Sequence, residues 1–233
     1  MPLPQVDVPL FDVEIPTTKE KISCRPFLVK EEKLLVMASE SGNMDDMIKA
    51  TQQIVTNCSF GKIDGQKIAL FELQKIFMDL RSVSISNIIE MALQCGECST
   101  RYEHSLDLQD LKVTFDEDHK NPVKLSDSLS IKMRYPDAYE MSKLLQGNNI
   151  EDVYLLTAKS IDKIFTQDEI IDVEDMTEEE LLEWVGNIPS AQFEGIRNFF
   201  ATMPVLEHTI EFKCVNCEKD NYLTMNGYVN FFV

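Results

Sequence analysis

No stretch of this sequence approaches the run of about 20 apolar residues that spans a bilayer, so a membrane-spanning segment is not expected. The opening "MPLPQVDVPLFDVEI" lacks a basic leader and a continuous apolar core, which argues against a secretory signal. The chain is therefore expected to stay in the cytoplasm where it is made, or in something assembled there. Positive charge is scarce: 22 Lys and Arg face 40 Asp and Glu, for a formal net charge of −18. Counterion release at phosphates needs clustered Lys and Arg. No cluster occurs, so neither nucleic acid nor an anionic membrane surface is an expected ligand. Acidity suits a basic protein partner, although it serves solubility as readily. Catalytic signatures are missing as well: there is no P-loop, GxGxxG, HExxH or GxSxG. Low-complexity tracts, obvious linkers and internal repeats are also absent, apart from one duplicated Cys-x-x-Cys.

What is present is enough for a core. Hydrophobic residues make up 44% of the 233, with 13 Phe and 11 Met, sufficient for one large domain or two modest ones. "FDVEI" and "KISCR" read as a strand pair joined through "PTT". Leu34, Leu35 and Ala38 keep helical spacing up to Gly42. A second helix starts from an Asn43 cap, with Asp45 and Asp46 in its first turn. "IALFELQKIFMDLRSVS" is strongly helical, and "SISNIIEMALQ" is expected to continue that helix into the first cysteine pair.

After residue 98 the pattern turns to strands in "RYEHSLDL", "LKVTF" and "LSIKMRYP". Pro136 is placed at the first position of a further helix, and "NIEDVYLLTAKSIDKIF" reads as one helix throughout. Eight carboxylates lie between Asp168 and Glu180, a run expected to be a solvated face. Within it Thr177 and Glu180 form a capping box. "SAQFEGIRNFFATMP" is a helix capped by Ser190, and two β-rich runs flank the second cysteine pair.

The six cysteines carry the one chemical constellation. In a reducing compartment they are not a disulfide framework. Cys24 and Cys58 stand alone and read as small buried apolar residues. Cys95 and Cys98 form one Cys-x-x-Cys, Cys214 and Cys217 the other, separated by residues 99–213. Four thiolates suit a tetrahedral structural zinc and leave no open position for catalytic water. A redox pair would open a helix, whereas Cys214 follows a strand and precedes a polar turn. Structural zinc is thus preferred to redox thiols or metal-free packing. Of the histidines, His104 and His119 are scattered. His208 could support or replace a ligand, but an ordinary strand-end histidine is the simpler reading.

The expected fold is α+β: a helical body, a small antiparallel sheet and a zinc-ribbon-like four-cysteine site split by a helical insertion. As a single domain over 1–233, it has N-terminal strands and helices in 1–94, a ribbon-like part in 95–134 and 205–233, and the insertion in 135–204.

Five stretches in order carry a resemblance: "RPFLVKEEKLLVMA", "DLRSVSI", "CGEC", "LSIKMRYP" and "FFATMPVLEHTIEFKCVNCEKDNYLTMNGYVNFF". Together they resemble the baseplate hub assembly proteins of T-even-like contractile-tailed bacteriophages, from about residue 16 to the end. The resemblance implies a virus-encoded, non-enzymatic protein acting in the infected host's cytoplasm or in the virion tail. Implied partners are other baseplate hub proteins and the tape-measure protein. The family supplies no catalytic residues, and only the four cysteines transfer, as metal ligands. A tape-measure chaperone that leaves before the virion matures is the alternative, with a thiol oxidoreductase third. The terminal "GYVNFFV" and the Met-bearing helix faces are candidate contact surfaces, with core packing the simpler reading for each.

Overall fold

Alternating and 3.6-residue apolar patterns follow one another along this chain, and the elements follow them. In a computed structural model, residues 6–146 and 150–226 are described. The strands and helices run β1 (Phe11–Glu14), β2 (Lys21–Cys24), α1 (Val29–Ser41), α2 (Met44–Cys58), α3 (Leu70–Ser84), β3 (Ile88–Gln94), β4 (Arg101–Asp107) and β5 (Lys112–Thr114). They continue as β6 (Val123–Lys124), β7 (Ser130–Met133), α4 (Ala138–Gln146), α5 (Ile150–Lys159), β8 (Ile161–Phe165) and β9 (Ile170–Asp172). The chain then forms α6 (Glu178–Gly186), α7 (Ser190–Thr202), β10 (Val205–Lys213) and β11 (Asp220–Asn226). The class is α+β, with small, entirely antiparallel sheets. Two units form: Met1–Gly65, Phe71–Thr114 and Val205–Val233 make the first, and Gln66–Leu70 with Phe115–Pro204 the second.

In the first unit β1 and β2 pair in register Val13↔Ile22, as their alternation requires, and Val13, Ile22 and Cys24 turn inward. Arg25 then leaves the strand and forks onto Glu31 at 2.9 and 3.2 Å. Glu31 also accepts from the Leu28 amide at 2.9 Å, which closes the first turn of α1. Burial pushes the Glu31 carboxyl up, but the guanidinium and that amide outweigh it and hold it below the usual range. Gly42 ends α1 in the left-handed conformation at φ 63°, which glycine adopts without strain. The Asn43 side chain accepts from the Asp45 amide and starts α2, as expected. Ile48, Thr51, Ile54, Val55 and Cys58 form the buried stripe of α2, and Leu73, Ile76, Phe77 and Leu80 that of α3. Cys24 and Cys58 are fully buried, as expected of small apolar side chains.

The segment expected to prolong α3 is instead strand β3. Its burial alternates: Ile89 and Leu93 are inside, Ile88, Glu90 and Gln94 outside. That period of two outweighs helical propensity once a seven-residue partner, β4, is available from Ile88↔Asp107 to Gln94↔Arg101. Polar Ser86 and Asn87 make the break, with Ser86 Oγ accepting from the Ile88 amide. β10 pairs on one side with β11 and on the other with β5.

The second unit is built on a four-stranded sheet ordered β6-β7-β8-β9. Residues 161–165, expected as the end of a helix, form β8, because the helix stops at Ser160. The Ser160 amide bonds back to Leu156 while its carbonyl accepts from Arg134. β8 therefore joins β7 in register Ile131↔Ile164. So 135–204, expected as helical, also supplies two strands to a sheet begun by 123–133. Ile131, Met133, Ile161, Ile164, Ile196 and Phe199 form its core. Two helix starts differ from expectation. Asp137, accepting from the Tyr139 and Glu140 amides, caps α4, whose first residue is Ala138, two beyond Pro136. Pro189, without a side-chain bond, precedes α7, whose first residue is Ser190. The Thr177–Glu180 capping box is present, and the carboxylates of 168–180 are all exposed. Among the described residues no helix is long and apolar enough to cross a membrane. Met78, Met133 and Met225 are core residues, whereas the terminal 227–233 lie outside the described residues.

Candidate metal centre

Because 85–94 ends as a strand, both Cys-x-x-Cys pairs occupy the same place, the tip of a hairpin. In the first, the Cys95 amide donates to Thr100 O at 2.9 Å and the Ser99 amide to Cys95 O at 3.0 Å. In the second, the Cys214 amide donates to Lys219 O at 2.8 Å and the Glu218 amide to Cys214 O at 2.9 Å. Ser99 and Glu218, each just after the second cysteine, take left-handed φ of 58° and 56°. The β1–β2 hairpin closes the same way, Ile15 with Glu20 and Lys19 with Ile15, both at 2.9 Å, and Lys19 has φ 59°. Thus the knuckle is a four-residue hairpin loop with one cysteine in the loop and the other at the residue that closes it.

All four sulfurs lie within 4.8 Å of one another, although residues 99–213 separate the pairs. Cys95 Sγ is 3.7 Å from Cys217 Sγ, and Cys98 Sγ is 3.5 Å from Cys214 Sγ. Ligands about 2.3 Å from a common tetrahedral centre would be roughly 3.8 Å apart, so the set has the size of a four-thiolate zinc site. Cys95 and Cys214 are buried, Cys98 is half-buried and Cys217 is exposed.

Polar hydrogens converge on these sulfurs. The Cys98 and Glu97 amides donate to Cys95 and lower its pKa. The Thr100 hydroxyl, 3.2 Å away, and then the Thr100 amide bring Cys98 down to about 6. The Lys219 amide acts in the same direction on Cys217, but hydrogen bonds among the sulfurs and burial outweigh it and push that thiol up to about 12. Without a cation, sulfurs this close cannot all be anions, and Cys217 is held protonated. A divalent cation would cancel that repulsion, and the amides would then serve the thiolates of Cys95, Cys98 and Cys217. The donor set fits a soft, tetrahedral metal ion.

The hairpins also meet directly. The Gly96 amide donates to Asn221 Oδ1 at 3.1 Å, and Asn221 Nδ2 donates to Lys219 O at 2.9 Å. Tyr102 meets Phe212 edge-on at 5.0 Å, and Lys219 reaches Glu97 at 3.8 Å across the surface. The sequence reading singled out the cysteines and missed Thr100, Tyr102 and Asn221. The signal that could have found two of them is positional: Tyr102 and Asn221 each stand seven residues after the first cysteine of their pair. His208 lies in β10, paired with Met225, and is not in the cluster; nor are His104 and His119.

Comparison with known proteins gives an independent result. The family described as T4 bacteriophage base plate protein matches residues 8–233. The baseplate hub assembly protein gp26 of Enterobacteria phage T4 is 25% identical over 223 residues, which cover 95% of this chain and 96% of that protein. No solved structure matches the chain.

Proposed function

This chain belongs to the T4 bacteriophage base plate protein family, and from that premise we propose that it acts in assembling the central hub of a phage tail baseplate. It works there through protein–protein contacts, without catalysis, and a structural zinc ion held by Cys95, Cys98, Cys214 and Cys217 closes its first unit. The observation that carries the hub reading is the near end-to-end match to a hub assembly protein. The zinc reading rests on the sulfur spacing and on the amides and hydroxyl aimed at those sulfurs. Four protein ligands leave no open position at the ion, which argues for a structural role over a catalytic one.

Tagged protein recovered from infected cells should bring down other baseplate hub proteins, with the tape-measure protein as a further candidate. Recovery of the tagged chain alone would count against the assembly role. Mass spectrometry of purified particles then separates a retained subunit from a factor that leaves. For the metal, native protein should carry one zinc per chain. Cys95→Ser and Cys214→Ser should each lose it and lose stability, whereas Cys24→Ala and Cys58→Ala should keep full zinc. Full zinc in either of the first two variants would rule out one shared site.

A further inference from the structure

The amides of the first knuckle account for themselves almost completely. Glu97 and Cys98 donate to the Cys95 sulfur, Thr100 to the Cys98 sulfur, and Ser99 to the Cys95 carbonyl. The Gly96 amide alone points away from its own knuckle, and it ends on the Asn221 side chain of the other hairpin. Asn221 is placed for this by β-sheet register. It pairs with Phe212 across β10 and β11, one residue from the closing Asp220↔Lys213 pair, beside the second knuckle. Its amide nitrogen donates to the Lys219 carbonyl, the same oxygen that accepts from the Cys214 amide and closes that knuckle. The two contacts fix which end of the side chain is oxygen. A Cβ at Gly96 would stand 3.9 Å from that oxygen.

We propose that Asn221 is the positioning residue that locks the two knuckles in register, so that their four sulfurs are gathered before an ion arrives. This rests on the metal reading above. Each knuckle can close by its own backbone bonds, since the β1–β2 loop closes identically with no cysteine. What a hairpin loop cannot supply is its partner, far away in sequence. The Asn221 bridge supplies it with one acceptor for the first knuckle and one donor for the second. Its counterpart in the first hairpin, Tyr102, gives the complementary apolar contact on Phe212.

The test uses the full-length chain, with zinc or cobalt(II) as probe. Asn221→Leu keeps the approximate volume and removes both hydrogen bonds. Asn221→Asp keeps the acceptor for Gly96 and loses the donor. Leucine is expected to weaken zinc affinity by about 10- to 100-fold, the range typical of outer hydrogen-bond partners. It should also blur the tetrahedral cobalt–thiolate spectrum and speed hydrogen exchange at the Gly96 amide in the metal-free protein. Aspartate is expected to keep the Gly96 protection and most of the affinity, which separates positioning from general loss of folding. If the leucine variant binds zinc like the wild type, the positioning role is overturned and the metal site stands. If the wild-type chain takes up neither zinc nor cobalt, the metal reading falls and takes this proposal with it.

Discussion

Arg25 and Glu31 show what a single buried residue decides. Their fork is almost fully enclosed, with side-chain exposures of 9% and 1%. A buried pair of this kind adds little over an apolar one, but breaking it strands a charge at a cost of about 3–5 kcal/mol. Arg25→Met should therefore lower unfolding free energy by about that amount in urea titration, while Arg25→Met with Glu31→Leu should recover much of it. His119 works differently. Thr202 donates its hydroxyl to Asn198 O and so accepts from His119 Nδ1–H, which leaves Nε2 to accept from the Tyr135 hydroxyl at 3.0 Å. The ring also packs on Phe199, 4.9 Å away. Burial lowers the His119 pKa, against the opposing charge of Asp116. Below its ordinary pKa of about 6.5 the unfolded chain thus binds more protons than the folded one. Its stabilising contribution is complete above that pH and is lost as pH falls through the depressed folded value. Thermal melts from pH 7.5 to 5 should show a shallower decline in His119→Gln than in the wild type.

At the scale of elements, helix ends set by close chain neighbours were legible to within two residues. Asn43 and the Thr177–Glu180 box mark helix ends by side chains that reach only a few residues, Gly42 by its left-handed backbone, and all three do what the sequence indicates. The larger errors fall on 88–94 and 161–165, apolar runs whose state depends on a distant partner strand. Ile88–Gln94 is a strand because β4 waits across the knuckle, and Ile161–Phe165 because β7 and β9 flank it. In the candidate site the four cysteines that come together were readable from their spacing. Asn221 was not, because only the register of β10 with β11 brings it to Gly96. The knuckle itself carries a testable strain. Ser99 and Glu218 hold left-handed φ, which costs a residue with a Cβ about 1–2 kcal/mol, partly offset in glycine by chain entropy. Ser99→Gly and Glu218→Gly should each raise stability by about 0.5–1 kcal/mol, read in urea titration, with zinc content unchanged.

For the whole molecule, the cysteine cluster lies entirely within the first unit, while the second unit, apart from Gln66–Leu70, is formed by Phe115–Pro204 in the sequence between the two knuckles. A cross-link that closes so long a segment removes much entropy from the unfolded chain. Chelation should therefore act unevenly. Stripping zinc should speed hydrogen exchange in β3, β4, β10 and β11, and leave β7 and β8, with their own Ile131–Ile164 core, at native protection. Equal loss of protection in both units would count against a zinc that serves the first unit alone.

The β1–β2 loop puts this in another light. It shares its hydrogen-bonding frame with both knuckles, yet Ile15 and Thr18 stand where they carry cysteine. Among the described residues three hairpin loops thus share one frame, and two of them carry a cysteine pair. Ile15→Cys with Thr18→Cys should equip the third, giving a two-sulfur pincer that captures a thiophilic ion such as cadmium far more weakly than the four-sulfur site. The turn is the transferable component, and the rest of the fold decides how many such turns meet face to face.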